Sequence, residues 1–191
     1  KLWVTVHDSD DEAEELWLKL TDIPKERIQR LDEDNYWKMG DVGPNGPCTE
    51  IFYDLGEEFG EDGGPKFGSE DRFVEFWNLV FMQFEDKADG SKVALPKPCV
   101  DTGMGIERVL FIKEKVQNIW ASSLFMPMIE ICEGLTSAKY GQDYETDVSL
   151  RIMAEHARTM AFLISDGVMP SNEDRGYVLR RIMRRAVRHA Y

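Results

Sequence analysis

The sequence predicts an α+β fold, with an antiparallel β-sheet and flanking helices followed by an α-helical unit. All segments with strand-like patterning precede Gly105, and the pattern after that residue is helical. Strands that come first and helices that come after are typical of this fold class. Apolar residues make up 42% of the 191 residues and aromatic residues 11%, so a sizeable core can be buried and a disordered tail is excluded.

The first strand and helix are indicated by their periodicities. Residues 2–7 alternate between apolar and polar side chains, as in a half-buried strand. Ser9 and Glu12 have the spacing of a capping box, and apolar residues then recur at helical spacing, which predicts a helix over 10–20. Pro24 can open a further short helical turn.

The next strands are separated by turn-rich segments. Residues 40–47 contain two Gly-Pro pairs and predict turns, whereas residues 49–54 predict a strand. The acidic, glycine-rich stretch over 56–70 is interpreted as an exposed loop. Residues 72–84 are aromatic and β-branched and predict a long central strand.

A hairpin is predicted at Asp89-Gly90, with the returning strand over 93–102. Pro96 and Pro98 should confine regular pairing to the later part of that strand. Helices follow: Pro127 can start one, and 148–165 forms another.

The last helix should be capped by Ser171 and Asp174. It carries a continuous apolar stripe, which is formed by Leu179, Ile182, Met183, Ala186, Val187 and Ala190.

Charge is distributed unevenly along the chain. The net charge is −13, yet residues 151–191 contain eight Arg, no Lys and four acidic residues, a net +4, so the first 150 residues carry −17. A polyanion would respond to the local field of the basic segment rather than to the mean. The alternative to a binding surface for a polyanion is an arginine face that only contacts solvent.

Cysteine and apolar patterning limit the class of protein. Three cysteines and three histidines are scattered without the spacing of disulfides or of a structural zinc site, which indicates a reducing, cytoplasmic location. No apolar run approaches the ~20 residues that cross a bilayer, so no membrane partner is expected. Because the chain starts without Met inside a predicted strand and not in a signal peptide, we expect it to be a piece of a longer protein.

The segment that most strongly indicates a functional site runs from Asp101 to Arg108. It is predicted to end a strand, turn on Gly103 and Gly105 and start a helix, where close backbone approach and unpaired N–H groups suit an anion. Arg108 would supply a planar fork for phosphate or stack on a purine, and Asp101 suits an ammonium group. An ordinary strand-to-helix turn remains the alternative.

Asn78 lies on an apolar face of the 72–84 strand, so its amide needs partners from a neighbouring strand or from a ligand. A weaker signal comes from four residues around the turn-rich segment: Trp37, Asp41, Thr49 and Glu50. Their side chains could line a small pocket, or the segment could simply be a tight loop.

The last helix presents a row of guanidinium groups opposite its apolar stripe. Such groups suit phosphate backbones, and Asn172 at the helix entry could read a base edge. The candidate RNA-binding arginines are Arg175, Arg181, Arg184, Arg185 and Arg188, with Arg180 at the edge of the stripe.

Taken together, these residues resemble the alanyl-tRNA synthetase family of class II aminoacyl-tRNA synthetases, essentially from end to end. Residues 103–108 (GMGIER) resemble motif 3 of the class, and the preceding VDT at 100–102 is typical of the alanine enzymes. Four other segments resemble blocks of the same family: 35–40 (NYWKMG), 46–51 (GPCTEI), 75–83 (EFWNLVFMQ) and 166–173 (DGVMPSNE). Asn45 departs from the family, in which many members place a cysteine.

The resemblance implies the class II catalytic fold over 1–115 and the beginning of a helical tRNA-recognition region over 116–191. It implies activation of L-alanine by ATP, with Mg²⁺, and transfer to the 3′ end of tRNA(Ala), whose acceptor stem is the expected partner. Glu107 and Arg108 would belong to the catalytic, ATP-binding site. The amino-acid site would be formed by Trp37, Asn78, Asp101, Gly103 and Gly105.

The resemblance also implies what lies outside these residues. Nothing here resembles motifs 1 and 2 of the class, whose arginine grips the α-phosphate, nor the editing domain with its zinc ligands. We therefore expect this piece to be inactive alone and to hold no zinc. The alternative is a non-catalytic RNA-binding fragment or paralogue, but such a module has no need of Asp101, Asn78 and Arg108. The third hypothesis is an α+β domain that has an arginine-rich helix but neither of these functions.

Overall fold

The structure is a computed structural model that describes residues 1–191, and it divides into two units. The first unit is Lys1–Ile112 and the second is Lys113–Tyr191. All strands belong to the first unit, and the second is helical. This arrangement confirms the predicted α+β fold class.

One sheet of six strands forms the first unit. The strands are β1 (Leu2–His7), β2 (Ile28–Leu31), β3 (Tyr36–Lys38), β4 (Gly43–Asp54), β5 (Phe73–Asp86) and β6 (Lys92–Met104). Their order is β2-β1-β4-β5-β6, with β3 paired to β4. Every pair is antiparallel except β1 with β2. These two are parallel because helix α1 (Asp11–Leu20) provides the crossover between them.

Helix α1 covers one face of this sheet. Ala13 and Trp17 pack against Val4 and Val6 of β1, which are almost completely buried. The predicted capping box is wrong: Asp10 is the N-cap, and its Oδ1 accepts from the Ala13 amide at 3.0 Å. Ser9 is not available for that role, since its hydroxyl lies 2.9 Å from Nδ1 of His7.

Strand β4 begins within the segment for which turns were predicted. Its pairing with β5 shifts register between Asn45 and Cys48, and this bulge admits Pro47 without a break in the strand. A Cβ added at Gly46 would lie 2.0 Å from the carbonyl oxygen of Phe81 on β5. The glycine therefore marks a close approach of two strands rather than a turn.

The predicted hairpin between β5 and β6 is confirmed, with Gly90 at φ 83°. Both strands are longer than predicted, and pairing holds on either side of the prolines: residues 92–94 pair with 84–86, and residues 99–104 pair with 77–82. The register shift between the two stretches accommodates Pro96 and Pro98. Strands β2 and β3, which have four and three residues, were not predicted because so short a segment shows no clear period.

The remaining helices are α2 (Gly64–Phe67), α3 (Ile106–Glu114), α4 (Met126–Thr136), α5 (Tyr144–Ser165) and α6 (Asp174–Ala190). Pro127 lies in the first turn of α4, as predicted. In the second unit, Phe125 and Ile129 pack against Leu150 and Ala154 of α5. No helix combines the length and apolar character that a membrane span needs.

Helix α6 differs from its prediction in two respects. Its N-cap is Glu173, without a side-chain cap bond, and Ser171 instead donates to the Glu173 carbonyl at 2.7 Å. Only part of the apolar stripe is buried: Leu179 is completely covered, whereas Val187 is 57% exposed. Helix α6 thus packs on α5 through a narrower face than the sequence pattern suggests.

Candidate functional site

A cavity of about 180 Å³ in the first unit collects most of the predicted amino-acid-binding residues. It is lined by Trp37, Asn78, Val80, Met82, Asp101, Thr102 and Gly103. Gly105 is not part of the lining, because it follows β6 and donates its backbone N–H to Phe76 at 3.0 Å. A larger cavity of about 290 Å³ between α1 and the sheet contains none of the predicted site residues.

Strand register explains why these residues meet. Asn78 on β5 lies opposite Glu50 on β4 and Gly103 on β6, and Val80 lies opposite Asp101. Side chains opposite one another project to the same face of a sheet. Thr49 projects to the other face, where it accepts a hydrogen bond from Trp17 of α1 at 2.9 Å. The cavity therefore lies on the face that α1 does not cover.

The Asn78 amide is held by a carboxylate from the next strand. Its Nδ2 donates to Oε1 of Glu50 at 2.9 Å, while its Oδ1 is buried without any hydrogen-bond partner. The sequence predicted that this amide must find partners, and the protein supplies only one of the two. Burial and the nearby Glu75 carboxylate raise the pKa of Glu50 to about 7.

Asp101 and Trp37 both line the cavity. Asp101 is exposed and accepts from the Thr102 amide at 2.8 Å, and no cationic side chain of the protein neutralises it. Trp37 is half-buried on β3, opposite Gly46. The cavity thus combines an unpaired carboxylate and a buried amide oxygen with apolar walls from Trp37, Val80 and Met82.

The predicted turn on two glycines is wrong in part. Strand β6 runs through Gly103 to Met104, so only Gly105 connects it to α3, and neither glycine has a positive φ. Glu107 and Arg108 lie in the first turn of α3, as expected. Arg108 Nη1 donates to Oε2 of Glu75 at 2.9 Å and to its carbonyl at 2.6 Å. Its Nε and Nη2 remain available for a ligand.

The weaker sequence signal around the turn-rich segment is only partly reflected in the geometry. Trp37 lines the cavity, and Glu50 contacts it through Asn78. Asp41 is exposed and Thr49 faces α1. Glu75 was not selected from the sequence, although a carboxylate in an otherwise apolar interior strand is a signal that could have identified it.

The arginine face is defined here as Arg175, Arg180, Arg181, Arg184, Arg185 and Arg188, all of which are exposed. Arg180 donates to Oδ1 of Asn172, and the guanidinium of Arg181 lies 6.0 Å from the ring centre of Tyr177. Asn172 and Arg175 also line an open cavity of about 540 Å³ at the entry to α6. The second unit therefore offers a dense row of exposed guanidinium groups next to one amide side chain.

No group of three or more His, Cys, Asp or Glu side chains is arranged to hold a metal ion. The three cysteines are free, and burial raises the pKa of the Cys48 thiol to about 11, which keeps it protonated near neutral pH. Asn45 is buried and accepts from the Tyr36 hydroxyl at 2.7 Å.

Comparison with known proteins places the chain in one family. The sequence profile of the tRNA synthetases class II (A) matches residues 1–191. The chain therefore belongs to the class II tRNA synthetases.

The particular relatives are alanine–tRNA ligases. The chain is 57% identical over 195 residues to the alanine–tRNA ligase of Sulfurimonas denitrificans, an alignment that covers 100% of the chain and 22% of the relative. The corresponding values are 51% over 193 residues for Acidithiobacillus ferridurans, with 99% and 22% covered, and 54% over 193 residues for a Sulfurovum species, with 100% and 22% covered. The chain thus spans about a fifth of the length of these relatives, and the predicted family resemblance is confirmed.

Proposed function

We propose that this chain is the part of an alanine–tRNA ligase that holds L-alanine and ATP during activation and contacts the acceptor stem of tRNA(Ala). The observation that carries the proposal is the cavity in which Asp101 and Asn78 meet apolar walls beside the Arg108 helix. Relatives named alanine–tRNA ligase align with the chain over its full length, which supports the same conclusion.

The cavity suits a small amino acid. The Asp101 carboxylate would bind the alanine ammonium group, and the buried Oδ1 of Asn78 would accept a further hydrogen bond from it. Trp37, Val80 and Met82 would surround the methyl group. A site of this size discriminates poorly against glycine and serine, because one methylene or hydroxyl changes binding by only about 1–3 kcal/mol.

Arg108 would bind ATP, with Glu107 beside it in the same turn. In activation, the alanine carboxylate attacks the α-phosphorus, a C–O–P linkage forms and pyrophosphate leaves. The fixed guanidinium of Arg108, oriented by Glu75, would stabilise negative charge on the nucleotide or stack on its base. Mg²⁺ would enter as the complex with ATP, whose phosphates supply oxygen ligands.

Amino-acid-dependent ATP–pyrophosphate exchange tests the activation step. A full-length ligase that contains these 191 residues should show exchange with alanine, and weaker but measurable exchange with glycine and serine, for the reason of size given above. Leucine, whose side chain is three carbons larger than that of alanine, serves as the control. Equal exchange with leucine and alanine, or no exchange with alanine, would contradict the proposal.

The arginine face would bind the acceptor stem. Guanidinium groups pair well with phosphates, and the stem would be read from its wide minor groove because the A-form major groove is too narrow for side chains. Asn172, at the entry to this face, would contact a base edge there. Because Leu179 and Ala186 are buried, the same helix also has a structural duty, and it is the exposed side that is free to bind.

Two substitutions in a full-length ligase should separate phosphate contacts from base reading. Arg184→Gln should weaken binding to every acceptor stem similarly and reduce the slope of log affinity against log salt by about one. Asn172→Ala should instead remove roughly 1–3 kcal/mol of discrimination between cognate and mutated stems.

The measurement is RNA binding over a salt series, with Lys113→Gln as the control that removes an exposed charge outside α6. Wild-type affinity, slope and discrimination in both variants would leave the arginine face with a solvation role only.

A further inference from the structure

Glu50 is a titratable side chain that lies next to the cavity without lining it. It lies in a cross-strand row with Thr5 on β1, Asn78 on β5 and Gly103 beyond it on β6. It is half-buried, and it accepts a hydrogen bond from the Asn78 amide at 2.9 Å. Such a carboxylate acts on a ligand through its neighbour.

The Asn78 amide shows what that neighbour does. Because Nδ2 is engaged by Glu50, Oδ1 is the end of the amide that is left for another donor, and it is buried without a partner. Buried amide oxygens are almost always satisfied in folded proteins. A cationic donor seated in the cavity would supply the missing hydrogen bond.

We propose that Glu50 is a positioning residue for the amino-acid substrate, whose carboxylate holds the Asn78 amide with its oxygen toward the substrate ammonium group. The inference rests on the function proposed above for the cavity. Glu50 does not touch the substrate. It acts by fixing which end of the Asn78 amide the substrate meets.

The polarity of the contact depends on the charge of Glu50. An ionised carboxylate only accepts, so it selects the amide orientation that presents Nδ2 to it. A protonated carboxyl group can also donate, and it can then bind Oδ1 and stabilise the opposite orientation. In that orientation Nδ2 would face the substrate ammonium group, where two donors oppose each other.

The groups that face Glu50 place this change near neutral pH. Burial opposes its ionisation most, and Glu75 on β5 and Asp34 in the turn before β3 oppose it further. Arg108 on α3 favours it, and the Cys48 thiol on the same strand stays neutral. Since the resulting pKa is about 7, a fall in pH from 8 to 6 converts Glu50 from mostly ionised to mostly protonated. Substrate affinity should therefore fall as the pH falls.

The test is the pH dependence of the alanine KM in ATP–pyrophosphate exchange by a full-length ligase with saturating Mg·ATP. If binding requires the ionised form, KM should rise about tenfold between about pH 8 and pH 6, with a smaller change in kcat. Alanine itself keeps its ammonium group throughout this range. Glu50→Gln retains an acceptor for Nδ2 but cannot titrate, so its KM should be raised at pH 8 and nearly independent of pH.

Two further variants make the test specific. Glu85→Gln, which removes another β5-region carboxylate that pairs with Lys87, should keep the wild-type profile. Glu50→Asp retains a titrating carboxylate and should keep a pH-dependent KM with a shifted midpoint. It also serves if Glu50→Gln folds poorly.

The outcomes are distinct. A flat KM in the wild type, or an unchanged pH dependence in Glu50→Gln, would overturn the role of Glu50 while alanine activation stands. Absence of alanine-dependent exchange in the wild type at every pH would instead overturn the proposed function and this inference with it.

Discussion

Replacement of Arg108 with alanine in a full-length ligase that carries this sequence should lower kcat for alanine-dependent ATP–pyrophosphate exchange by about 10²–10³-fold. That is the usual loss when one preorganised group that stabilises developing charge is removed. The side chain is preorganised because Nη1 is fixed by the side chain and the carbonyl of Glu75, at 2.9 and 2.6 Å. Nε and Nη2, with three N–H donors between them, remain for the nucleotide.

The measurement is exchange at saturating alanine with ATP varied, so that kcat and the KM for ATP are obtained separately. Arg27→Ala is the matched control, since Arg27 makes no side-chain hydrogen bond or ion pair and lies in a short turn before β2. A kcat within a factor of three of wild type in Arg108→Ala would show that the Arg108–Glu75 pair serves only the fold.

The second large effect is expected at Asp101. Asp101→Ala should raise the alanine KM roughly 30- to 150-fold, because it removes a charge-assisted contact to the ammonium group. This corresponds to a loss of binding free energy on the order of 2–3 kcal/mol. The KM for ATP should change little.

Asp101→Asn separates charge from shape at the same position. The amide keeps an oxygen that can accept from the Thr102 N–H, which Asp101 binds at 2.8 Å, but it has no charge for the ammonium group. We therefore expect Asp101→Asn to resemble Asp101→Ala in its alanine KM. If Asp101→Asn instead behaves as wild type, the carboxylate is a local cap of the strand end.

The parts of the fold that follow from local periodicity could be predicted from the sequence. β1 and α1 have patterns that repeat several times, so a single misleading residue does not hide them. β5 is marked by its long run of aromatic and β-branched residues, and the hairpin by the Asp89-Gly90 pair. β2 and β3 are too short for a period to show. β4 begins among Gly-Pro pairs that usually mark turns, and only its pairing with β5 across a bulge makes that segment a strand.

The candidate site divides in a similar way. Asp101, Asn78 and Trp37 stand out as polar or aromatic residues in unusual positions, and they line one cavity. The link between Asn78 and Glu50 could not be predicted, because the two residues are 28 positions apart and meet only through the register between β4 and β5. Arg108 was selected, but its partner Glu75 depends on how α3 follows β6.

The close approach at Gly46 determines how this pocket can be redesigned. Any side chain at this position would strike the backbone of β5, so residue 46 cannot be used to change the width of the cavity. Trp37, which pairs with Gly46 across the two strands, lines the cavity with its side chain. A smaller residue at position 37 would enlarge the space available to the substrate. A library that aims to admit a larger amino acid should therefore vary Trp37 and Met82 and leave glycine at position 46.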